Sequence, residues 1–150
     1  MIIQHHPHFL PSPIHRITSS TKATEPSQKN SNKREIEIRV CTNRTCRRQG
    51  SFQTLENLVG LSPPHVSVKP CGCLGRCGNG PNLVALPDAV FVSHCGSTTQ
   101  AARVMAHFCG EDGDDVVRRS LDALALRKRA EIELDKGDFS EAEALFSQVI

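Results

Sequence analysis

The spacing of the cysteines is the feature of this sequence that most clearly indicates chemistry. Of seven cysteines, three fall within the glycine-rich stretch 68–82, VKPCGCLGRCGNGPN. Three residues separate Cys73 from Cys77 in this stretch, and four residues separate Cys41 from Cys46 earlier in the chain. Four thiolates from two loops are a common way to hold a metal centre, and glycine lets the backbone between them turn tightly. We therefore predict that these four cysteines bind a metal centre.

Two kinds of metal centre fit four thiolates. A [2Fe–2S] cluster commonly takes four cysteine ligands, and the glycines around Cys73 and Cys77 leave backbone N–H groups free to bond its sulfides. Structural zinc is the alternative, although zinc sites favour gaps of two residues within each pair. A plant-type ferredoxin would need another cysteine soon after Cys46, where the sequence has Arg-Arg-Gln, and no Cys-x-x-Cys redox motif follows the first predicted strand.

The other three cysteines, Cys71, Cys95 and Cys109, are predicted to be small buried or half-buried thiols. An odd number of cysteines argues against a complete disulfide framework. Cys71 stands two residues before Cys73 and is a rival for a place among the metal ligands. His94 ends a predicted strand, and we expect it to lie in solvent because four cysteines already complete a site.

Composition sets broad limits on function. The chain has 150 residues, 38% of them hydrophobic and 23% charged, which is typical of a globular domain with appendages. Its formal net charge of +2 is too small to predict nucleic-acid binding, and charges or proline interrupt the long apolar runs, so no membrane span is predicted. No acid–base or nucleophile set is evident, so we predict that the protein is not an enzyme.

Residues 1–34 differ in composition from the rest of the chain. They contain one acidic residue, five basic residues, eight serines or threonines and four prolines, with no helical or strand period. They also lack the apolar run of a secretory signal. This composition is typical of an organelle transit peptide, and the scarcity of arginine favours the chloroplast stroma over the alternative, the mitochondrion. We predict that the chain before about Asn32 is disordered and is removed on import.

Periodicity predicts a strand, a helix and a second strand after this segment. Strict alternation in residues 35–40 predicts a strand that leads into Cys41, and residues 65–69 form the second predicted strand. Between them, residues 51–61 predict a helix capped by Ser51, and this order indicates a parallel βαβ unit. The apolar residues assigned to the buried face of that helix are Phe52, Leu55, Leu58 and Val59.

A hairpin and another helix are predicted after the glycine-rich stretch. Strands over residues 82–86 and 89–93 are separated by a two-residue turn, Pro-Asp. Ser97 begins a capping box that opens a helix ended by Gly110. The order β-α-β-β-β-α over residues 35–110 predicts an α/β fold, a thioredoxin-like sandwich with helices on a four-stranded mixed sheet. The predicted core face of the last helix comprises Ala101, Val104, Met105 and Phe108.

The cysteine motifs resemble those of the thioredoxin-like [2Fe–2S] ferredoxin family. The resemblance covers residues 36–109 and is carried by Cys41-x4-Cys46 and by the run Cys-Leu-Gly-Arg-Cys-Gly-Asn-Gly-Pro over residues 73–81. That family includes the small [2Fe–2S] subunit of respiratory complex I and similar domains of bacterial hydrogenases. The resemblance implies a thioredoxin-like ferredoxin domain with a [2Fe–2S] cofactor, and Cys71 is a departure from the family pattern. The cluster ligands that it implies are Cys41, Cys46, Cys73 and Cys77.

The rest of the chain is predicted to be helical. Residues 111–120 form an acidic linker and the start of a helix, and residues 121–150 form a partial helical repeat. Within them, residues 126–150 resemble a tetratricopeptide repeat, with Glu133 as a departure where a large residue is usual. The alternative is an ordinary helical hairpin that packs on the ferredoxin domain. The positions that carry the resemblance are Ala130, Gly137, Phe139, Ala142, Phe146 and Val149.

The last predicted helix, residues 139–150, stops within its apolar face. We therefore predict that the chain is a fragment of a longer protein or an isoform that ends early. On this prediction Leu145, Phe146 and Val149 are exposed, and they are mobile or promote self-association.

These patterns together favour an electron carrier over a catalyst. The predicted protein is a [2Fe–2S] module that exchanges electrons with a protein partner, with the helical repeat used for docking. Five cations against one acid, Glu56, between Cys41 and Cys77 favour an acidic redox protein as that partner. The alternative is a scaffold or assembly factor, in which a structural cluster or zinc supports partner binding by the repeat. The five cations are Arg44, Arg47, Arg48, Lys69 and Arg76.

Overall fold

The computed structural model of the chain describes residues 34–149. The predicted transit peptide, residues 1–34, lies outside the described residues except for Arg34. The predictions that it is disordered and is removed on import therefore also concern residues outside this range. No helix in the described range is long and apolar enough to cross a membrane. The strands and helices, in chain order, are β1 (Ile36–Cys41), α1 (Arg44–Arg48), α2 (Ser51–Leu61), β2 (Val66–Cys71), β3 (Leu83–Leu86), β4 (Val90–Val92), α3 (Thr98–Cys109), α4 (Asp114–Lys136) and α5 (Phe139–Ser147).

The four strands form one mixed sheet in the order β2-β1-β3-β4. β1 runs parallel to β2, so that Ile36 lies opposite Val66 and Cys41 lies opposite Cys71. β3 is antiparallel to both of its neighbours, β1 and β4. The predicted fold class is therefore confirmed: a thioredoxin-like α/β domain, built from a parallel βαβ unit and a hairpin, is followed by helices. The predicted strand bounds differ from the observed ones by one or two residues.

Helices α2 and α3 cover one face of the sheet and enclose the core. Side chains alternate across a strand, and alternate residues of β1, including Ile38 and Val40, are fully buried. Ser97 and Gln100 form the predicted capping box, and Gly110 ends α3 with a φ of 71°. Removing the apolar side chains of the core from water is the main driving force for folding. The buried core consists of Ile36, Ile38, Val40, Leu58, Val66, Leu83, Ala85, Cys95, Ala101 and Met105.

Helix α2 has the predicted bounds, and Leu58 and Leu55 of its predicted buried face do lie at the core. Phe52 and Val59, which were predicted to lie in the core, are 51% and 46% exposed. Ser51 is the first helical residue rather than the N-cap, and it is fully buried. The buried face of α2 also includes Thr54, whose Oγ1 donates to the carbonyl oxygen of Cys95 at 2.6 Å.

The long helix α4 packs against α2 and α3. Lys128 Nζ lies 3.2 Å from Asn57 Oδ1, and Arg127 donates to the carbonyl oxygen of Gly60 at 3.3 Å. A methyl group on Gly60 would lie 2.6 Å from Leu124 Cδ1, so the two helices approach each other closely at the glycine. Helix α4 is therefore anchored on the sheet domain. The domain boundaries near residues 110 and 120 stay predictions.

Helices α4 and α5 form a hairpin that turns at Gly137. Helix α5 buries Ala142 and Leu145, so the prediction that Leu145 is exposed is wrong: α5 packs along α4 with this side inward. Phe139 and Phe146 stay exposed. A helical hairpin is thus present, and its assignment to the tetratricopeptide class stays a prediction.

Asn57 is expected to stabilise the contact between α2, α3 and α4. Its buried side chain donates to Thr98 Oγ1 at 3.2 Å and accepts from Lys128 and Gln53. We expect Asn57→Ala to lower the free energy of unfolding by about 1–3 kcal/mol, because it removes a buried amide whose hydrogen bonds join the three helices. Equilibrium urea unfolding measures the change. The control, Arg129→Ala on an exposed position of α4, should stay within about 0.5 kcal/mol, and an equal loss in both variants would contradict the prediction.

Candidate metal centre

The carboxyl ends of β1 and β2 bring Cys41 to one edge of the sheet. Cys41 is the last residue of β1 and is buried. Its backbone N–H donates to the carbonyl oxygen of Asn82 at 2.9 Å, and the N–H of Thr42 donates to the carbonyl oxygen of Cys71 at 3.0 Å. The backbone at Cys41 is therefore held from both sides by neighbouring chain segments.

A short helix that the sequence analysis missed holds Cys46. Helix α1 begins after Asn43, whose side-chain oxygen accepts from the N–H of Arg44 at 2.6 Å. Five residues are too few to display a helical period, and the asparagine cap two residues after the strand was the signal that could have revealed the helix. Cys46 is the buried residue of α1, so the helix turns this thiol inward.

Residues 72–82, which we call the ligand loop, hold the second pair of cysteines. Cys73 and Cys77 are exposed, and their sulfur atoms lie 3.5 Å apart. The N–H of Gly75 donates to Cys73 Sγ at 3.4 Å, and Gly75 has a φ of 75°, which favours glycine. Two thiolates on one tetrahedral metal ion lie about 3.8 Å apart, given metal–sulfur bonds of about 2.3 Å. This pair therefore already has the separation of two ligands on one ion.

The ligand loop packs against α1 and so brings the two pairs of cysteines together. Gln49 Nε2 lies 3.4 Å from the carbonyl oxygen of Gly78. A methyl group on Gly80 would lie 2.9 Å from Cys46 Sγ and 3.3 Å from Cys46 Cα, and it would also collide with Gln49 Oε1. Glycine at position 80 is thus required by the close approach of the loop to the second cysteine.

Asn82 is a contributor to the site that the sequence analysis did not single out. Its buried side-chain amide donates to the carbonyl oxygen of Arg76 at 2.8 Å and lies 3.5 Å from Cys46 Sγ. The sequence offered only a weak signal, a polar residue at the start of a predicted strand. The amide of Asn82 therefore joins the end of the ligand loop both to the middle of that loop, at Arg76, and to the sulfur of Cys46 on α1.

The environment of the first pair favours negative charge on the sulfur of Cys41 but not on that of Cys46. Burial raises the pKa of the Cys41 thiol, but hydrogen bonds from the backbone N–H groups of Asn43 and Leu74 and from Cys46 bring that pKa below its ordinary value. Burial also raises the pKa of Cys46, and hydrogen bonds from Asn82 oppose this increase. The N–H of Leu74 belongs to the ligand loop, so the loop reaches Cys41 as well as Cys46.

The second pair interacts with the first through charge. A hydrogen bond to Cys73 and the negative charge of Cys73 raise the pKa of the Cys77 thiol, and the charges of Cys46 and Cys41 raise it further. The four sulfurs therefore lie close enough to repel one another when they are ionised. A bound metal centre would remove this repulsion, since metal ligation favours the thiolate.

This donor set fits a binuclear iron–sulfur cluster. The sulfurs form two pairs, Cys41 with Cys46 and Cys73 with Cys77, and a [2Fe–2S] cluster takes two protein ligands on each iron. Among residues 34–149, no group of three or more cysteine, histidine or acidic side chains is placed to hold a metal ion. The N–H groups directed at the sulfurs are of the kind that tunes such clusters.

The remaining candidate residues have the exposure that was predicted. Cys95 is buried, Cys71 and Cys109 are half-buried, and His94 is exposed. Cys71 lies opposite Cys41 in the sheet, and burial, followed by the charge of Cys41, raises its pKa. Cys71 is thus close to the first pair, and its exclusion from the ligand set stays a prediction.

Cys95 is expected to resist alkylation in the folded protein. Burial raises the pKa of its thiol to about 11, and only 1% of the residue is exposed. At pH 8 only about one thiol in a thousand would be the reactive thiolate. We expect iodoacetamide and mass spectrometry to find Cys95 unmodified at pH 8 and modified after unfolding. Labelling of the folded protein at Cys95 as fast as at Cys71 would contradict this.

Solved structures of one ferredoxin are similar to this chain. The wild-type thioredoxin-like [2Fe–2S] ferredoxin from Aquifex aeolicus is 21% identical over 55% of this chain and 93% of that chain, with a TM-score of 0.46. A cysteine-to-serine variant of that ferredoxin is 20% identical over 53% of this chain and 93% of that chain, with a TM-score of 0.45. Another structure of a thioredoxin-like [2Fe–2S] ferredoxin from this organism is 21% identical over 55% of this chain and 87% of that chain, with a TM-score of 0.47. No protein-family model matches the chain, and no curated protein does. The proposals below rest on the geometry of the chain itself.

Proposed function

We propose that this protein is a one-electron carrier that binds a [2Fe–2S] cluster through Cys41, Cys46, Cys73 and Cys77. The observation that carries the proposal is that the four cysteines form two pairs, one buried and one exposed, which the ligand loop joins at one end of the sheet. When bound, such a cluster takes up and releases one electron.

The two pairs of cysteines have different tasks in this proposal. Cys41 and Cys46 hold one side of the site within the protein, where both residues are buried and N–H donors lower the pKa of the Cys41 thiol. Cys73 and Cys77 hold the other side at the surface, where a second protein can approach closely. One buried side and one exposed side suit a centre that must be stable and still exchange electrons with a partner.

Anaerobic purification tests the proposal directly. We expect about two irons and two acid-labile sulfides per chain, a coloured protein, and an EPR signal of a reduced [2Fe–2S] centre after treatment with dithionite. A colourless protein that carries zinc and shows no reversible one-electron reduction would overturn it.

We further propose that the carrier works in the chloroplast stroma, with an acidic redox protein as its partner. The support for the location is the acid-poor, serine- and threonine-rich composition of residues 1–34. A fluorescent protein fused behind residues 1–34 should enter the plastid. Retention of the fusion in the cytosol would exclude the plastid, and entry into mitochondria would support the alternative location.

A scaffold or assembly factor is the second candidate function. The observation that favours it is an apolar cleft of about 380 Å³ on the α4–α5 hairpin, lined by Leu134, Phe139, Ala142 and Phe146 among others. In this role the hairpin docks a protein, and the metal centre, a cluster or zinc, supports the fold. Zinc in place of iron, together with partner binding that Phe139→Ser abolishes, would favour this function over electron transfer.

A further inference from the structure

We propose that four arginines and two phenylalanines around the candidate metal centre form a docking surface for an acidic redox protein. We call this surface the arginine face. The inference rests on the proposed electron-transfer function and identifies the residues that would recognise the partner. The arginine face consists of Arg44, Arg47, Arg48, Phe52, Arg76 and Phe91.

The charges of the arginine face are not neutralised by the described part of the chain. All four arginines are exposed, and none of them forms an ion pair with a residue in the range 34–149. Lys69 is the fifth cation between Cys41 and Cys77, and its charge is paired: Lys69 Nζ lies 2.8 Å from Glu37 Oε2 on the sheet. Lys69 is therefore left out of the surface, and the positive charge is concentrated on α1 and the ligand loop.

Two of the arginines are held in place by aromatic rings. The guanidinium carbon of Arg47 lies 5.1 Å from the ring centroid of Phe52, and that of Arg76 lies 4.5 Å from the ring centroid of Phe91. Both rings are about half exposed, at 51% and 42%. Stacking restricts an arginine before a partner arrives, so less entropy is lost on binding. Arginine and aromatic side chains together are also typical of protein interfaces.

Two arginines of the arginine face are next to candidate ligands in the chain. Arg47 directly follows Cys46, and Arg76 directly precedes Cys77. The contact between Gln49 and the ligand loop joins the two parts of the surface. A protein bound here would therefore cover the point at which electrons would leave or enter the protein.

The chemistry of the surface favours an acidic protein over a nucleic acid. Aspartate and glutamate side chains can pair with guanidinium groups, while apolar groups of the partner can cover Phe52 and Phe91. Complementary charge also speeds the encounter of two redox proteins. The formal charge of the whole chain is only +2, so the attraction would depend on this local patch rather than on net charge.

The test uses an acidic plant-type [2Fe–2S] ferredoxin as the probe. Its dissociation constant and its rate of electron exchange are measured at ionic strengths of roughly 0.01 to 0.15 M, over which the Debye length falls from about 30 to 8 Å. We expect Arg47→Glu with Arg48→Glu to weaken binding about tenfold at the lowest salt, and to remove most of the salt dependence. The absorption spectrum of the protein should not change.

A matched control separates the local patch from net charge. Arg118 and Arg119 are also adjacent and exposed on α4, but Arg118, unlike the arginines of the arginine face, pairs with Asp115 at 3.3 Å. They follow Val117, which packs near Leu61 at the end of the sheet where β1 begins. Arg118→Glu with Arg119→Glu changes the net charge equally and should leave binding within about twofold. Equal weakening by both double variants would overturn the proposal, as would binding that is indifferent to salt.

Two further measurements address the aromatic rings and the alternative ligand. Phe91→Leu should weaken binding about twofold to threefold, because it frees Arg76 without changing any charge. A single-stranded DNA oligonucleotide should bind more weakly than the acidic ferredoxin, and tighter binding of the DNA would overturn the proposal. The dissociation constants test the surface, whereas the iron and sulfide content tests the proposed function, so the two can fail separately.

Discussion

Replacing Cys73 by serine is expected to remove or strongly perturb the cluster. The serine hydroxyl is a poor ligand for iron, and the variant leaves Cys77 without the partner that lies 3.5 Å away. We expect the visible absorption and the EPR signal to be lost or strongly changed, and the iron content to fall from about two per chain to well under one. The same result is expected for serine at Cys41, Cys46 or Cys77.

Cys71→Ser is the matched control for that experiment. Cys71 lies two residues before Cys73 and opposite Cys41 in the sheet, but it is not assigned to either sulfur pair. We expect this variant to keep its iron and its spectrum nearly intact. If Cys71→Ser bleaches the protein while Cys73→Ser does not, Cys71 is a ligand and the assigned quartet is wrong.

Gly80→Ala is expected to have the second largest effect. A methyl group at position 80 would lie 2.9 Å from Cys46 Sγ and 3.3 Å from Cys46 Cα, and it would collide with Gln49 Oε1. The backbone contact leaves little room for relaxation, so we expect Cys46 to move and at least half of the cluster to be lost, with the far-ultraviolet circular dichroism retained.

Gly72→Ala provides the comparison within the same loop. Gly72 precedes Cys73, has no positive φ, and has no neighbouring atom within 4 Å of an added methyl group. Cluster content measured as iron per chain should therefore match that of the unsubstituted protein. Equal loss in both variants would mean that the loop needs glycine for flexibility rather than for the close contact with Cys46.

Local patterns in the sequence were enough to predict the sheet domain. Glu37 and Arg39 separate the apolar residues of β1, so the alternation is visible without any knowledge of the fold. Ser97 and Gln100 satisfy each other within one helical turn, so this helix start is also a local property. The cysteine spacing likewise indicated which residues to expect at the candidate site.

Contacts between distant residues could not be predicted in the same way. Thr54 is buried because it donates to the carbonyl oxygen of Cys95, which lies 41 residues further along the chain. An assignment that turns apolar residues inward therefore selected Phe52 and Val59, which lie at the surface. The same limit applies to Asn82, whose role depends on a side chain of α1 that is remote in sequence.

Because the two sulfur pairs differ in exposure, the protein without its cluster is sensitive to oxidation at only one of them. In air, Cys73 and Cys77 are accessible, and their sulfurs need only close from 3.5 Å to about 2.05 Å to form a disulfide, with the two electrons passing to oxygen. Cys41 and Cys46 are shielded by burial and would stay reduced. Oxidation would thus disable the outer half of the site first, and reconstitution with iron and sulfide would then require a thiol reductant to reopen it.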